Sequence, residues 1–373
     1  MKIIFTCGGT AGHINPAIAL AHLFQERKPD CEILFVGAKA GIEERLVPKD
    51  GFRLETITIG SFWRKMTISG VKHNLSTLRK LQVSKRECRD ILDKFQPDMV
   101  VGTGGYASYP IVREAARRGI PTAVHESNAV PGLTTRRLAQ YVDCVMVGFS
   151  DIANAYVRPE RVVVTGTPVR GAFFAHSRRE ARQLLGIPAD LPVVLSYWGS
   201  LGANQMNRYM VDMIEGEARG ERSFYHIHGA GQDYARMLLE LEKREVTLPP
   251  HIEIREYIDN MPMVMAAADL VLCRGGASTI SELMAISKPS IIVPSPNVTH
   301  NHQEKNARVL ADAGLAMLIL ESDCDGQVLS REVCRLLSEK EERSRMEGAI
   351  AAAGMPDAAD RIYQTLMKLL QRS

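Results

Sequence analysis

Short apolar runs recur along the chain, each bounded by glycine, proline or polar turn residues and followed by a helical pattern. In the first half the spacing predicts strands at 2–6, 33–37, 98–102, 122–125 and 144–147. In the second half it predicts them at 193–197, 223–228, 252–254, 270–273 and 290–293. Helical periodicity fills the gaps, over 16–27, 74–95, 111–118 and 132–139, then over 204–215, 233–242, 303–313 and 330–338. Such alternation predicts an α/β protein with parallel sheets covered by helices on both faces. The rhythm pauses at Thr165-Gly166-Thr167-Pro168, a hinge candidate between two doubly wound halves, 1–165 and 166–356. A last stripe, Ile362, Tyr363, Leu366, Leu369 and Leu370 within 357–371, predicts a helix that returns to the first half.

Composition narrows the class. At 373 residues two domains are the default, and 45% hydrophobic with 24% charged residues suits a soluble globular chain. No stretch is long and apolar enough to span a bilayer, and the apolar start runs into Gly8-Gly9 without a cleavage signal. The seven cysteines are scattered with no C-x-x-C pair, which fits a reducing cytosol and offers no zinc site. Charge is uneven: residues 1–165 hold 23 Lys+Arg against 16 Asp+Glu, a balance of +7 within a total of +3. Residues 61–90 concentrate it, mixing Arg64, Lys65, Lys72, Arg79, Lys80, Lys85, Arg86 and Arg89 with Phe62, Trp63, Met66 and Leu75. That mixture suits an anionic membrane surface; a solvated helix is the plainer alternative. An aromatic stacking platform for nucleic acid is lacking.

Four glycine turns follow predicted strands. They are Gly8-Gly9-Thr10-Ala11-Gly12-His13, Gly102-Thr103-Gly104-Gly105-Tyr106, Gly199-Ser200-Leu201-Gly202 and Arg274-Gly275-Gly276-Ala277-Ser278-Thr279. A strand, a glycine turn and a helix N-terminus gather free backbone N–H groups around an anion. Ser278 and Thr279 read as caps of the last helix, and Glu282 lies about one turn further on, where it can reach a sugar hydroxyl. A dinucleotide-binding turn needs G-x-G-x-x-G and an acid ending the next strand, but that strand ends Val36-Gly37-Ala38-Lys39. His13, where the first turn meets a helix signalled by Asn15-Pro16, is either a general base or a turn cap. Asn128, in His125-Glu126-Ser127-Asn128, either binds sugar hydroxyls or shapes the turn before Pro131. His300 and His302 lack a third spaced ligand, so no metal site is expected; His226 and His228 share a strand face and read as core or rim residues.

Taken in order, GGTAGH at 8–13, GTGGYASYP at 102–110, HESNAVPG at 125–132, TGTPVR at 165–170, GSLGA at 199–203, RGGASTISE at 274–282 and HQEKNA at 302–307 resemble the MurG family of bacterial glycosyltransferases. The resemblance covers nearly the whole chain. It implies a GT-B fold, two Rossmann-like domains facing a cleft. It also implies transfer of GlcNAc from UDP-GlcNAc to the 4-hydroxyl of MurNAc in undecaprenyl-pyrophosphoryl-MurNAc-pentapeptide, with inversion, at the cytoplasmic face of the membrane. By the family pattern His13 is the base. Thr10, Ala11, Gly12, Asn128 and Gln303 lie at the GlcNAc, and Ile258 lies at the uracil. Glu282 holds the ribose, Ser200 and Ala277, Ser278 and Thr279 take the diphosphate, and Arg170 is another donor-side position. His302 and Arg274 are further donor candidates, and Gly104, Gly105, Tyr106 and Glu126 belong to the acceptor side. The membrane patch would comprise Phe62, Trp63, Lys72, Leu75, Arg79 and Lys80. No cofactor is obligatory, and divalent-ion stimulation is left open. Trp198 stands where many members carry Gly, and His302 where some carry Gln. A UDP-sugar:diacylglycerol glycosyltransferase and a UDP-GlcNAc epimerase remain as alternatives.

Overall fold

The computed structural model describes residues 1–60, 68–199, 202–220 and 224–371, with backbone alone over 68–81 and at Asp151, Ala153, Asn154 and Thr299. The chain divides into two compact units, Met1–Arg170 with Met355–Ser373, and Gly171–Gly354. The first carries β1 (Lys2–Thr6), β2 (Glu32–Ala38), β3 (Arg53–Ile57), β4 (Met99–Gly102), β5 (Thr122–Glu126), β6 (Cys144–Val147) and β7 (Val162–Val164). Its helices are α1 (Ala11–Arg27), α2 (Glu43–Lys49), α3 (Ile68–Phe95), α4 (Ser108–Arg117) and α5 (Leu133–Leu138). The second carries β8 (Val193–Tyr197), β9 (Tyr225–Gly229), β10 (Ile252–Arg255), β11 (Leu270–Cys273), β12 (Ser290–Ile292) and β13 (Met317–Leu318). Its helices are α6 (Arg178–Leu185), α7 (Asn204–Arg219), α8 (Tyr234–Lys243), α9 (Met261–Ala267), α10 (Ala277–Ala285), α11 (His302–Asp312), α12 (Gly326–Ser338) and α13 (Lys340–Ala353). The final helix, α14 (Ala358–Gln371), belongs to the first unit.

Both sheets are parallel throughout. The first has the order β3-β2-β1-β4-β5-β6-β7 and the second β10-β9-β8-β11-β12-β13. β1 shows why the apolar runs are continuous, since both its faces are buried. Ile3 and Phe5 pack with Phe24 and Phe35, and with Ile362 and Leu366 of α14. Ile4 packs on the other face with Leu34, Val100 and Ile111. In the second unit Val194, Leu270, Leu272 and Ile291 close on Met210 of α7 and Leu329 of α12.

The units divide at Arg170 rather than at the 165/166 hinge, so Arg170 belongs with the first unit. Residues 165–166 are stitched to that sheet: Thr165 N–H donates to the Val147 carbonyl at 3.1 Å, and the Gly166 carbonyl lies 2.9 Å from His125 Nε2. Helix α1 begins at Ala11, ahead of the Asn15-Pro16 signal, with extended Thr10 (φ −148°) as its N-cap. Pro16 sits in the second turn and omits one intrahelical hydrogen bond. His13 therefore stands in the first turn of a helix rather than in the loop before it.

Candidate functional site

In each sheet the strand order reverses beside the first strand of the unit, between β1 and β4 and between β8 and β11. Loops leaving the carboxyl ends of the strands that flank such a switch point form the usual ligand crevice of doubly wound sheets. The four glycine turns are those loops, two in each unit.

In the first unit the two turns rest on one another. A side chain at Gly105 (φ +80°) would place its Cβ 2.0 Å from the Gly8 carbonyl oxygen, so only glycine allows this approach. A Cβ at Gly104 (φ +110°) would lie 2.5 Å from Nδ1 of His13, which shows the imidazole seated against that backbone. Thr103 Oγ1 donates to the His13 carbonyl at 2.6 Å, and the Tyr106 ring lies against Gly9. Thr10 is exposed, and Ala11, Gly12 and His13 are half-buried. His13, Gly104, Gly105 and Tyr106 are thereby gathered in one place.

Glu43, in sequence only a lone acid after Gly41-Ile42, is fully buried under the first turn. Its Oε1 accepts the Gly9 N–H at 2.9 Å, and among the described residues its Oε2 has no hydrogen-bond partner. The Gly9 amide is thus already committed to an internal carboxylate. Nearby, the buried Glu126 carboxylate accepts from the Asn128 backbone N–H (3.1 Å), Asn128 Nδ2 (2.9 Å) and the Gly132 N–H (2.9 Å). Glu126 therefore braces the 127–132 loop and holds the Asn128 amide in orientation. Burial, ahead of charges that include His13, lowers the pKa of His125.

In the second unit the fourth turn packs on the head of α11. A Cβ at Gly275 would lie 2.3 Å from the Gln303 carbonyl oxygen, and Asn306 Nδ2 donates to the Gly275 carbonyl at 3.1 Å. The Gln303 side-chain Oε1 accepts the Ser295 N–H at 2.9 Å, while His302, the residue before it, is half-buried. Helix α10 starts at Ala277 with Gly276 as N-cap and no side-chain cap. The expected Ser/Thr cap is absent because Ser278 and Thr279 lie inside the first turn, where their own backbone amides help form the helix N-terminus. Glu282 stands one turn along; after burial, its charge helps push up the Cys273 thiol. For the buried Tyr197 phenol the order is burial, Cys273, then Glu282. The Glu282 carboxylate thus lies near the carboxyl ends of β8 and β11.

Arg274 is held by its own unit: its guanidinium donates to the Val293 carbonyl (3.0 Å) and to Glu321 (2.6 Å). Ile258 is buried against Gly229 at the end of β9. Trp198 is 3% exposed and packs into the apolar core, so its bulk fills the unit's interior. Ser200, Phe62 and Trp63 lie outside the described residues, as do the side chains of Lys72, Leu75, Arg79 and Lys80. No helix among the described residues is long and apolar enough to cross a membrane.

Comparison with known proteins assigns the family. The glycosyltransferase family 28 N-terminal domain matches residues 3–147 and its C-terminal domain residues 193–362. The UDP-N-acetylglucosamine–N-acetylmuramyl-(pentapeptide) pyrophosphoryl-undecaprenol N-acetylglucosamine transferase of Acetivibrio thermocellus is 40% identical over 100% of this chain and 99% of its own. The crystal structure of Acinetobacter baumannii MurG superposes with a TM-score of 0.75 at 25% identity, covering 98% of this chain and 99% of that one. A UDP-GlcNAc 2-epimerase from Neisseria meningitidis shares the fold alone, with a TM-score of 0.66 at 14% identity, over 99% of this chain and 100% of its own. The chain is accordingly a glycosyltransferase of GT-B fold, and it belongs to the MurG family of N-acetylglucosamine transferases.

Proposed function

We propose that this chain moves GlcNAc from UDP-GlcNAc to the 4-hydroxyl of MurNAc in undecaprenyl-pyrophosphoryl-MurNAc-pentapeptide. The observation that carries the reading is the pair of glycine turns at each unit's switch point, with an imidazole seated on one pair and a carboxylate beside the other. The full-length likeness to the Acetivibrio transferase names the substrates.

On this reading the second unit holds the donor. The amides of Ala277, Ser278 and Thr279 at the head of α10 take the diphosphate, as does Ser200. A helix N-terminus carries about half a positive charge, which steadies the charge UDP gains as it leaves. Glu282 accepts from the ribose hydroxyls, Ile258 lies at the uracil, and Asn128 and Gln303 read the sugar. His302 and Arg170 are further donor-side positions. Arg274, tied to Glu321, acts by shaping the turn. In the first unit Thr10, Ala11 and Gly12 lie near the transferred sugar, and Gly104, Gly105 and Tyr106 meet the acceptor. Glu126, also on the acceptor side, braces Asn128 toward the transferred sugar. Inversion needs one in-line displacement, so the attacking hydroxyl must give up its proton. His13 accepts it, a role worth about 10²–10⁴ in rate. No cofactor is obligatory in this scheme. Residues 61–90 bring the enzyme to the anionic cytoplasmic face of the membrane where its lipid acceptor resides.

The test is incubation with labelled UDP-GlcNAc and a panel of acceptors, the products identified by mass. Transfer to the muramyl pyrophosphoryl lipid and not to diacylglycerol is expected. Transfer to diacylglycerol instead, or conversion of UDP-GlcNAc without any acceptor, would overturn the proposal.

A further inference from the structure

Below the third glycine turn a chain of buried polar side chains crosses the second unit. Glu217 Oε2 lies 2.8 Å from His226 Nδ1, and His226 Nε2 lies 2.8 Å from Ser196 Oγ. Ser196 Oγ is in turn 2.7 Å from His228 Nδ1, and His228 Nε2 is 3.2 Å from Asn207 Oδ1. Asn207 Nδ2 then donates to the Ala230 carbonyl (2.8 Å) and to Asp233 (3.1 Å). Ser196, His226 and His228 are 0% exposed and Asn207 is 1% exposed. A polar chain at this depth is costly unless its members find partners, and of its side-chain atoms only Glu217 Oε1 lacks one among the described residues.

Donor and acceptor accounting fixes its direction. Both groups facing Asn207 Nδ2 are acceptors, so the amide nitrogen must point there and Oδ1 must face His228. His228 Nε2 therefore donates. His228 is neutral, its pKa lowered to about 3 by burial and then by His226. Its Nδ1 therefore accepts the Ser196 hydroxyl proton. With that proton used, Ser196 Oγ accepts from His226 Nε2–H. His226 Nδ1 faces the Glu217 carboxylate, so a second proton lies between those two.

The chain ends under a turn of the candidate site. Gly202 has φ +75°, and a Cβ there would lie 2.5 Å from the Ala230 carbonyl oxygen and 3.2 Å from Asn207 Nδ2. Gly202 thus rests on the atoms that Asn207 ties together, and its N–H closes a turn onto the Gly199 carbonyl at 3.0 Å. If Asn207 turned over, its Oδ1 would face two acceptors and displace Ala230, and Gly202 with it.

We propose that Asn207, oriented by the His228–Ser196–His226–Glu217 chain, is a positioning residue that sets Gly202 and the head of α7 against the donor's diphosphate. The inference rests on the reading above, in which the third turn meets that diphosphate. None of the five side chains touches substrate; they act through the backbone of the turn.

The experiment compares calorimetric binding of UDP and of uridine to the full-length protein, with imidazole nitrogen NMR of the unmutated chain. Ser196→Ala and Asn207→Asp are expected to weaken UDP about tenfold, a change of about 1.4 kcal/mol, and to leave uridine unchanged. Ser196→Thr, which keeps the hydroxyl, is expected to retain UDP affinity. NMR is expected to show His226 protonated on Nε2, and His228 on Nε2 alone. An unchanged ratio of UDP to uridine affinity in both variants overturns the proposal. So does an Nδ1-protonated His228 in the unmutated protein, whether or not the variants fold. Equal binding of UDP and uridine by the unmutated protein would instead overturn the diphosphate reading, and the inference with it.

Discussion

A fully buried carboxylate is tolerable only where hydrogen bonds replace its water, and Glu43 takes one from Gly9 beneath the turn that leads to His13. Glycine turns can therefore differ in role although they look alike in sequence: the first is pinned by an internal anion, whereas the fourth opens onto the head of α10. Glu282 belongs to the second kind. Glu282→Ala is expected to weaken UDP binding by roughly 1.5–3 kcal/mol, the range of a hydrogen bond to a charged group. Calorimetry with UDP reads this directly, and unchanged affinity would remove Glu282 from the ribose. At this scale the places of His13, Glu282 and the glycines at turns and helix heads were legible because turn chemistry and helix position are local. Glu43 and the Glu217–Asn207 chain were not, because their meaning depends on partners brought in by other strands and helices. His226 and His228, read as core or rim residues, are core residues, and their hydrogen bonds run to Asn207 beneath the third turn.

The elements that sequence patterning locates best are the central strands. β1, β4, β8 and β11 are buried on both faces and read as continuous apolar runs, but their order in the sheets, and with it both switch points, came only from the structure. β3, β7 and β13 were missed, and all lie at sheet edges. An edge strand is half-solvated; Arg53-Leu54-Glu55-Thr56-Ile57 alternates polar and apolar positions and resembles loop. Short helices such as α2 and α9 carry too few turns for a clear period. Helix pairing also shapes the acid limb of stability. Glu114 on α4 has its carboxyl held at about 2, chiefly by hydrogen bonding to Arg117 and then Arg118, with burial opposing and Arg89 of α3 adding its charge. Its folded pKa lies below the unfolded value of about 4.5. The stabilisation is thus complete above that value and lost as pH falls from about 4.5 to about 2. Glu114→Gln should lower the urea midpoint near pH 7 and flatten its fall across that window. Parallel profiles for the two proteins would show that Glu114 contributes nothing to acid stability.

Across the whole molecule, two parallel-sheet units of similar design carry different charge and different turn chemistry. The basic excess lies in residues 1–165, and the carboxylate beside the glycine turn at the head of α10 lies in the second unit. In the proposed function this asymmetry would let one unit receive a lipid-borne acceptor and the other a nucleotide sugar. The two-unit plan was legible because strand–helix alternation persists from end to end. The boundary at Arg170 was not, since it is set by hydrogen bonds from 165–166 back to β5 and β6. In the proposed reaction the sugar's anomeric carbon undergoes a single displacement with the muramyl 4-hydroxyl as nucleophile. Its most direct test is the anomeric configuration, by NMR coupling, of the disaccharide formed from UDP-GlcNAc and a short-chain muramyl pyrophosphoryl lipid. A single displacement gives a new β linkage to the 4-position, inverted from the α configuration of the donor. An α-linked product, or consumption of UDP-GlcNAc with no disaccharide, would contradict it.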